Sequence, residues 1–301
     1  MRHFILAGLF AAASALPAAA ETVTIETATG PATLESEPET VVVFDVTSID
    51  TINALGQEIA GVPAPLYMDR LTEATSEAEN VGTLFEPDFE TLAVMQPDVI
   101  IVGGRSSSQA EALSDIAPVI DMSVWGEDMA GQARARIDAF GTLFGLEDEA
   151  AALTEEFNAK IEEAAAAVEG KGDALMLLTN GGKISAYGSG SRFGWIHDAT
   201  GLPEAHPGLD AETHGQAVSF EFIAETDPDW LLVIDRAAAI GDAGEAALAT
   251  LDNPLVDRTS AAQNDHLVLM DPAPLYIAGG GAQAMMDTLD ELIAAFEDAG
   301  S

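Results

Sequence analysis

Residues 89–105, FETLAVMQPDVIIVGGR, and residues 220–236, FEFIAETDPDWLLVIDR, are two copies of one pattern. Phe, Glu, Ala, Pro, Asp, Val and Arg recur in register, seven identities in seventeen positions, and most of the other apolar positions exchange Leu, Ile and Val. Each copy reads as a short helix with Glu near its start, broken at Pro-Asp because proline cannot continue a helix. The apolar runs that follow, Val99 to Val102 and Trp230 to Ile234, suit strands buried on both faces. An arginine, Arg105 or Arg236, stands just past each run. In open α/β sheets ligands bind at the carboxyl ends of strands.

A second kind of unit precedes each copy. VVVFDVTSIDTINALG (41–56) reads as strand, turn and a helix closing on Gly56; ALMLLTNGGKISAYGSGSRFGWIHDATG (174–201) reads as strand, long Gly-rich loop and a helix closing on Gly201. Between the halves, Leu153, Phe157, Ile161, Ala164 and Val168 recur at helical spacing, acidic residues crowd the first turn, and Gly170 can end the helix. The expected fold class is therefore α/β: two related lobes joined by a single long rigid helix, with a ligand cleft between them. The expected divisions are 1–20, a leader; 21–146, the first lobe; 147–169, the connecting helix; and 170–301, the second lobe.

The leader reading rests on a basic start at Arg2, an apolar run from Phe4 to Leu16, and Ala18-Ala19-Ala20 as a small-residue cleavage site. Cleavage is expected after Ala20. The chain has no cysteine, so the mature form offers neither a disulfide nor an N-terminal cysteine for a lipid anchor. Together these features predict a free periplasmic protein. The formal net charge is −40, from 11 Lys and Arg against 51 Asp and Glu. Self-repulsion on that scale excludes nucleic acid and anionic membrane as partners, and it makes every arginine conspicuous. GSGSRFG at 188–194 departs from the dinucleotide fingerprint, with Phe193 at the third-glycine position. GxSxG is absent, and without cysteine a Cys/His nucleophile pair is impossible, so the chain reads as a non-enzyme.

Over most of the mature chain, and most strongly from residue 174, GGKISAYGSGSRFGWIHDATG, HGQAVSFEFIAETDPDWLLVIDRAAAIG and DPAPLYIAGGG resemble the helix-linked periplasmic binding proteins that feed ABC importers. The resemblance is to the branch that takes ferric catecholate siderophores, petrobactin-type ligands among them. It implies that Arg105, Arg192 and Arg236 line the cleft and that His214 and Tyr276 can reach the iron. It also implies that Glu90 and Glu221 are pegs for a two-fold ABC permease dimer. His197 and His206 are read as structural.

The chemistry suits those residue types. A ferric catecholate spreads negative charge over oxygens and rings, and a guanidinium hydrogen-bonds the first and stacks on the second. Fe(III) is a hard ion that favours anionic oxygen, so a tyrosinate and an imidazole can fill the two positions left open by a tetradentate chelator. No intrinsic cofactor is expected; the ligand is an Fe(III)-siderophore complex, and the protein is expected to be a monomer. Haem, cobalamin or another iron chelate is the alternative ligand, and a two-lobed periplasmic enzyme the alternative class. Bare zinc or manganese does not fit a first lobe without histidine. Glu90 and Glu221 are expected at helix starts on the side away from the strand-end cleft.

Overall fold

In the computed structural model, which describes residues 21–209, 215–242 and 246–299, the two repeat copies occupy the same place in two five-stranded sheets. A hairpin of β1 (Thr22–Thr27) and β2 (Gly30–Glu35) comes first. The first sheet holds β3 (Val41–Val43), β4 (Gly61–Val62), β5 (Glu79–Asn80), β6 (Val99–Val102) and β7 (Val119–Asp121), all parallel, in the order β5-β4-β3-β6-β7. The second holds β8 (Ala174–Asn180), β9 (Lys183–Tyr187), β10 (Gln216–Ala217), β11 (Trp230–Asp235) and β12 (Leu267–Met270), in the order β10-β9-β8-β11-β12. Each order runs third, second, first, fourth, fifth along its own lobe. The reversal of strand order therefore falls between β3 and β6 and between β8 and β11, and the repeat supplies the fourth strand beside each reversal.

The repeat carries its own punctuation. Its helices, Phe89–Met95 and Phe220–Thr226, start at Asp88 and Ser219, whose side chains accept backbone N–H bonds of the first turn. Both end on a left-handed residue, Gln96 or Asp227, immediately before proline. The aspartate of Pro-Asp then ties the unit to the strand before it. Asp98 accepts the N–H groups of Glu39 at 3.0 Å and Thr40 at 2.8 Å, and Asp229 accepts that of Asp173 at 3.1 Å.

Residues 174–201 depart from the strand-loop-helix reading. The chain turns at Gly181-Gly182 and returns as β9, antiparallel to β8. Both glycines have positive φ, 55° and 78°, the geometry a two-residue hairpin demands. The helix then comes only at Trp195–Thr200, and β10 adds a second antiparallel pair.

Strand alternation builds a shared core. Val41, Val43, Val99 and Ile101 from the first sheet and Met176, Leu178, Leu232 and Ile234 from the second belong to one continuous buried cluster. The intervening residues, Val42 and Ile100 or Leu175 and Val233, pack into separate clusters on the outer faces. The long helix Glu147–Val168 contributes Leu153, Phe157, Ala164 and Val168 to the shared cluster, with Ile161 packed against it. At about 1.5 Å per residue it spans roughly 33 Å. The C-terminal helix Ala282–Asp298 lies against both this helix and the first-lobe helix Val46–Ala54. Fully buried Asp50 accepts the Ala284 N–H at 3.0 Å and pairs with Arg70, which also reaches Asp287 at 3.2 Å. Removing Arg70 would be far more damaging than the pair's net contribution, because Asp50 would stay buried without its partner. The chain thus returns to its first lobe, and apolar packing and charge both brace the lobes. Among the described residues no helix is long and apolar enough to cross a membrane.

Candidate functional site

Three loops deliver the three arginines. After β6, Gly103 and Gly104 turn the chain toward Arg105; a Cβ on Gly103 would stand 2.7 Å from the Asp45 carboxyl carbon, so the glycine is sterically required. Buried Ser106 cinches the turn, its Oγ accepting the Gly103 N–H at 3.1 Å and donating to the Gly103 carbonyl at 3.1 Å. Ser191 does the same for the loop of Arg192, donating to the Gly188 carbonyl at 2.6 Å and accepting the Gly194 N–H at 3.1 Å. Glu204 and Asp198 hold that loop further through the N–H groups of Ser189 and Gly190. Arg236 follows β11 directly, and Asp235 caps the short helix Arg236–Ala239.

All three guanidinium groups converge on Tyr276. That residue lies in a wide turn, Ala273–Ile277, of the π-helical kind often found at functional sites. Its carbonyl accepts from Arg105 Nη2 at 2.8 Å and from Arg192 Nη2 at 2.9 Å, while Arg105 Nη1 donates to the Ile277 carbonyl at 3.0 Å. Arg236 Nε donates to the Tyr276 hydroxyl oxygen at 3.2 Å. Arg192 also lies over the rings of Phe193, Tyr276 and Trp125, at 4.6, 4.7 and 5.3 Å from their centroids. Burial, aided by Arg105 nearby, pushes the pKa of Arg192 down to about 10, so it remains charged at neutral pH.

Arg192 and Tyr276 separate two cavities. One, of about 390 Å³, is lined by Asp45, Thr47, Arg105, Ser123 and Trp125 as well. The other, of about 380 Å³, is lined by Asn180, Lys183, Ser185, Tyr187 and Arg236. Asp45 lines the first cavity with Arg105, and burial pushes its pKa up; its Oδ2 is already engaged by the Ser48 N–H and hydroxyl. The ion pairs of the described residues use Arg70 and Lys160, not the cleft cations. Although the chain has 51 acidic residues, none of the described ones forms an ion pair with Arg105, Arg192 or Arg236.

Of the residues singled out in the sequence, Arg105, Arg192, Arg236 and Tyr276 thus meet at one place. His214 lies outside the described residues. His197 is buried, with Nδ1 at 2.8 Å from the Leu202 carbonyl, and His206 packs edge-on against Phe222. Sequence reasoning missed Trp125, Tyr187 and Lys183. Trp125 was within reach of the same rule that finds Arg105, since it follows the carboxyl end of β7.

The two glutamates stand elsewhere than expected. The Asp88 N–H bonds to the carbonyl of Val81, just past β5, and the Val218 N–H bonds to that of Ile184, level with the carboxyl end of β8. Both helices therefore begin on the strand-end side that also carries the arginines. A helix returning to a parallel strand must start where the previous strand ended, so the expectation that they sit on the opposite side is corrected. Glu221 accepts from its own N–H and the Ser219 hydroxyl, which holds it below the usual carboxylate range.

A family model described as periplasmic binding protein matches residues 41–274. The chain belongs to the periplasmic binding protein family. It is 35% identical to the petrobactin-binding protein YclQ of Bacillus subtilis over 263 residues, 85% of this chain and 81% of that one. A periplasmic binding protein from Xylanimonas cellulosilytica has a solved structure that superposes with a TM-score of 0.82 at 38% identity, over 91% of this chain and 98% of that one. The periplasmic catecholate-siderophore binding protein VctP of Vibrio cholerae superposes with a TM-score of 0.82 at 31% identity, covering 92% of this chain and all of its own. The named relatives are binding proteins, and the solved structures share the overall α/β fold of this chain.

Proposed function

We propose that this binding protein captures an anionic ferric siderophore of catecholate type in the periplasm and delivers it to an ABC permease dimer. The observation that carries the reading is the convergence of three guanidinium groups on Tyr276 with no carboxylate paired to them among the described residues. An anionic chelate can replace the carbonyl oxygens that now receive those N–H groups, and its rings can stack where Arg192 and Trp125 lie. The relatives that bind petrobactin and catecholate siderophores support the ligand class. Tyr276, joined by His214, is proposed to complete the iron coordination of a tetradentate chelate. The protein is proposed to act as a free monomer after loss of residues 1–20.

Delivery is assigned to Glu90 and Glu221, one on each lobe, on the strand-end side. Glu90→Ala, Glu221→Ala and the double variant are expected to bind a ferric bis-catecholate as the native protein does and to support less iron uptake in cells, the double variant least. Charge reversal to Lys should be worse than removal, since it repels a basic partner. Wild-type uptake by the double variant would reduce both residues to favourable helix-start charges.

A further inference from the structure

The helix Met129–Phe144 grips the loop that carries Trp125 through two side chains one turn apart, Gln132 and Arg136. Gln132 pinches Trp125 from both ends: its Oε1 accepts the Trp125 N–H at 3.1 Å, and its Nε2 donates to the Trp125 carbonyl at 2.7 Å and to that of Glu127 at 2.8 Å. Arg136 belongs to the buried face of the helix, with Ala133, Ile137 and Phe140. A guanidinium in that place must find acceptors for its fork. Nε donates to the Met122 carbonyl at 3.2 Å, Nη2 to that of Ser123 at 3.2 Å, and Nη1 to that of Glu26, in the first hairpin, at 3.3 Å. Among the described residues Arg136 forms no ion pair. Burial holds its pKa below the ordinary arginine value.

The grip carries through to the cleft. The Ser123 hydroxyl donates to Asp121 at 2.6 Å, so its oxygen can accept the N–H of Gly104, the residue before Arg105, at 2.7 Å. Gly280 closes on the same loop, where a Cβ would stand 2.8 Å from Val124. Ser123 and Trp125 line the first cavity, and Arg192 lies over the Trp125 ring. We infer that Arg136, with Gln132, is a positioning residue of the binding site: it fixes the loop 122–127 so that Trp125 stays under Arg192 and Ser123 holds the turn of Arg105. The inference rests on the reading of this cleft as the binding site. Lysine in its place would keep the charge, but a compact ammonium cannot span carbonyls on separate segments as the planar fork does.

Arg136→Lys and Trp125→Ala, made singly and together, test it by calorimetric titration with a ferric bis-catecholate. Arg136→Lys is expected to weaken binding about tenfold in the native background and by no more than about twofold once Trp125 is Ala, since residues that act through one another are not additive. An arginine that serves stability alone would lower the melting temperature and leave affinity unchanged, or cost the same in both backgrounds; either result overturns the inference. Gln132→Ala, which leaves the buried carbonyls paired, should show the same coupling to Trp125, and it decides the matter should the Arg136 variant not fold. Acrylamide quenching of Trp125 without ligand, taken as the difference from a Trp125→Phe protein, should rise in the Arg136 and Gln132 variants as the ring loses the cover of Arg192. If the wild type binds no ferric bis-catecholate, the siderophore reading falls, and this quenching alone then decides the positioning role, which unchanged values would overturn.

Discussion

Arg192→Ala is expected to weaken ferric bis-catecholate binding about a hundredfold. A hydrogen bond to a charged group contributes about 1.5–3 kcal/mol and a desolvated cation–ring contact up to about 2, and about 2.7 kcal/mol is a hundredfold. Arg192 should exceed Arg105 and Arg236 in effect because it alone of the three lines both cavities and touches three rings. Its depressed pKa carries the same message. The unfolded chain holds this proton to higher pH than the folded one, so at neutral pH, below both values, keeping the charge in the cleft costs stability. An incoming anion offsets that cost. Arg192→Lys should recover little, since an ammonium cannot stack as a planar fork does. Calorimetric titration of the variants checks this, and a lysine variant equal to the wild type would remove the stacking argument.

Tyr276→Phe separates the phenol from everything else the residue does. The carbonyl that anchors Arg105 and Arg192 is unchanged by that substitution, and the hydroxyl's contacts with Arg236 Nε and with the Arg192 side chain are lost. If the phenolate joins the iron of a tetradentate chelate, the wild-type complex has a charge-transfer band displaced from that of the free chelate, and the Phe variant does not. Its affinity for the tetradentate complex should fall about tenfold, and for a hexadentate tris-catecholate within about twofold, because that chelator leaves no position vacant. Identical visible spectra for wild type and variant would reduce Tyr276 to packing and arginine anchorage.

The repeat made much of the fold legible, because each copy states its own start, break and strand: Glu stands near the helix start, proline stops it, and four or more apolar residues form a strand buried on both faces. The arginines were legible for the same reason, as punctuation at strand ends. The hairpin of β8 and β9 was not, since Gly181-Gly182, which carries a two-residue turn signal of its own, runs on into the later glycines of a single Gly-rich stretch. Lys183 was lost with it. The side of the sheet on which Glu90 and Glu221 stand is set by the crossover of a parallel unit, a relation between neighbouring strands that neither copy of the repeat states by itself. The return of Ala282–Asp298 to the first lobe depends on packing between distant segments, Asp50 with Ala284 above all, and no local pattern announces it.

The most direct test of the account is a comparison of charge at similar size. The purified protein is titrated in parallel with a ferric bis-catecholate and with a neutral ferric tris-hydroxamate at moderate ionic strength. Three open guanidinium groups around Tyr276 predict a preference for the anionic chelate of at least about a hundredfold. Equal affinity for the two complexes would contradict the assignment of this cleft to an anionic ferric siderophore.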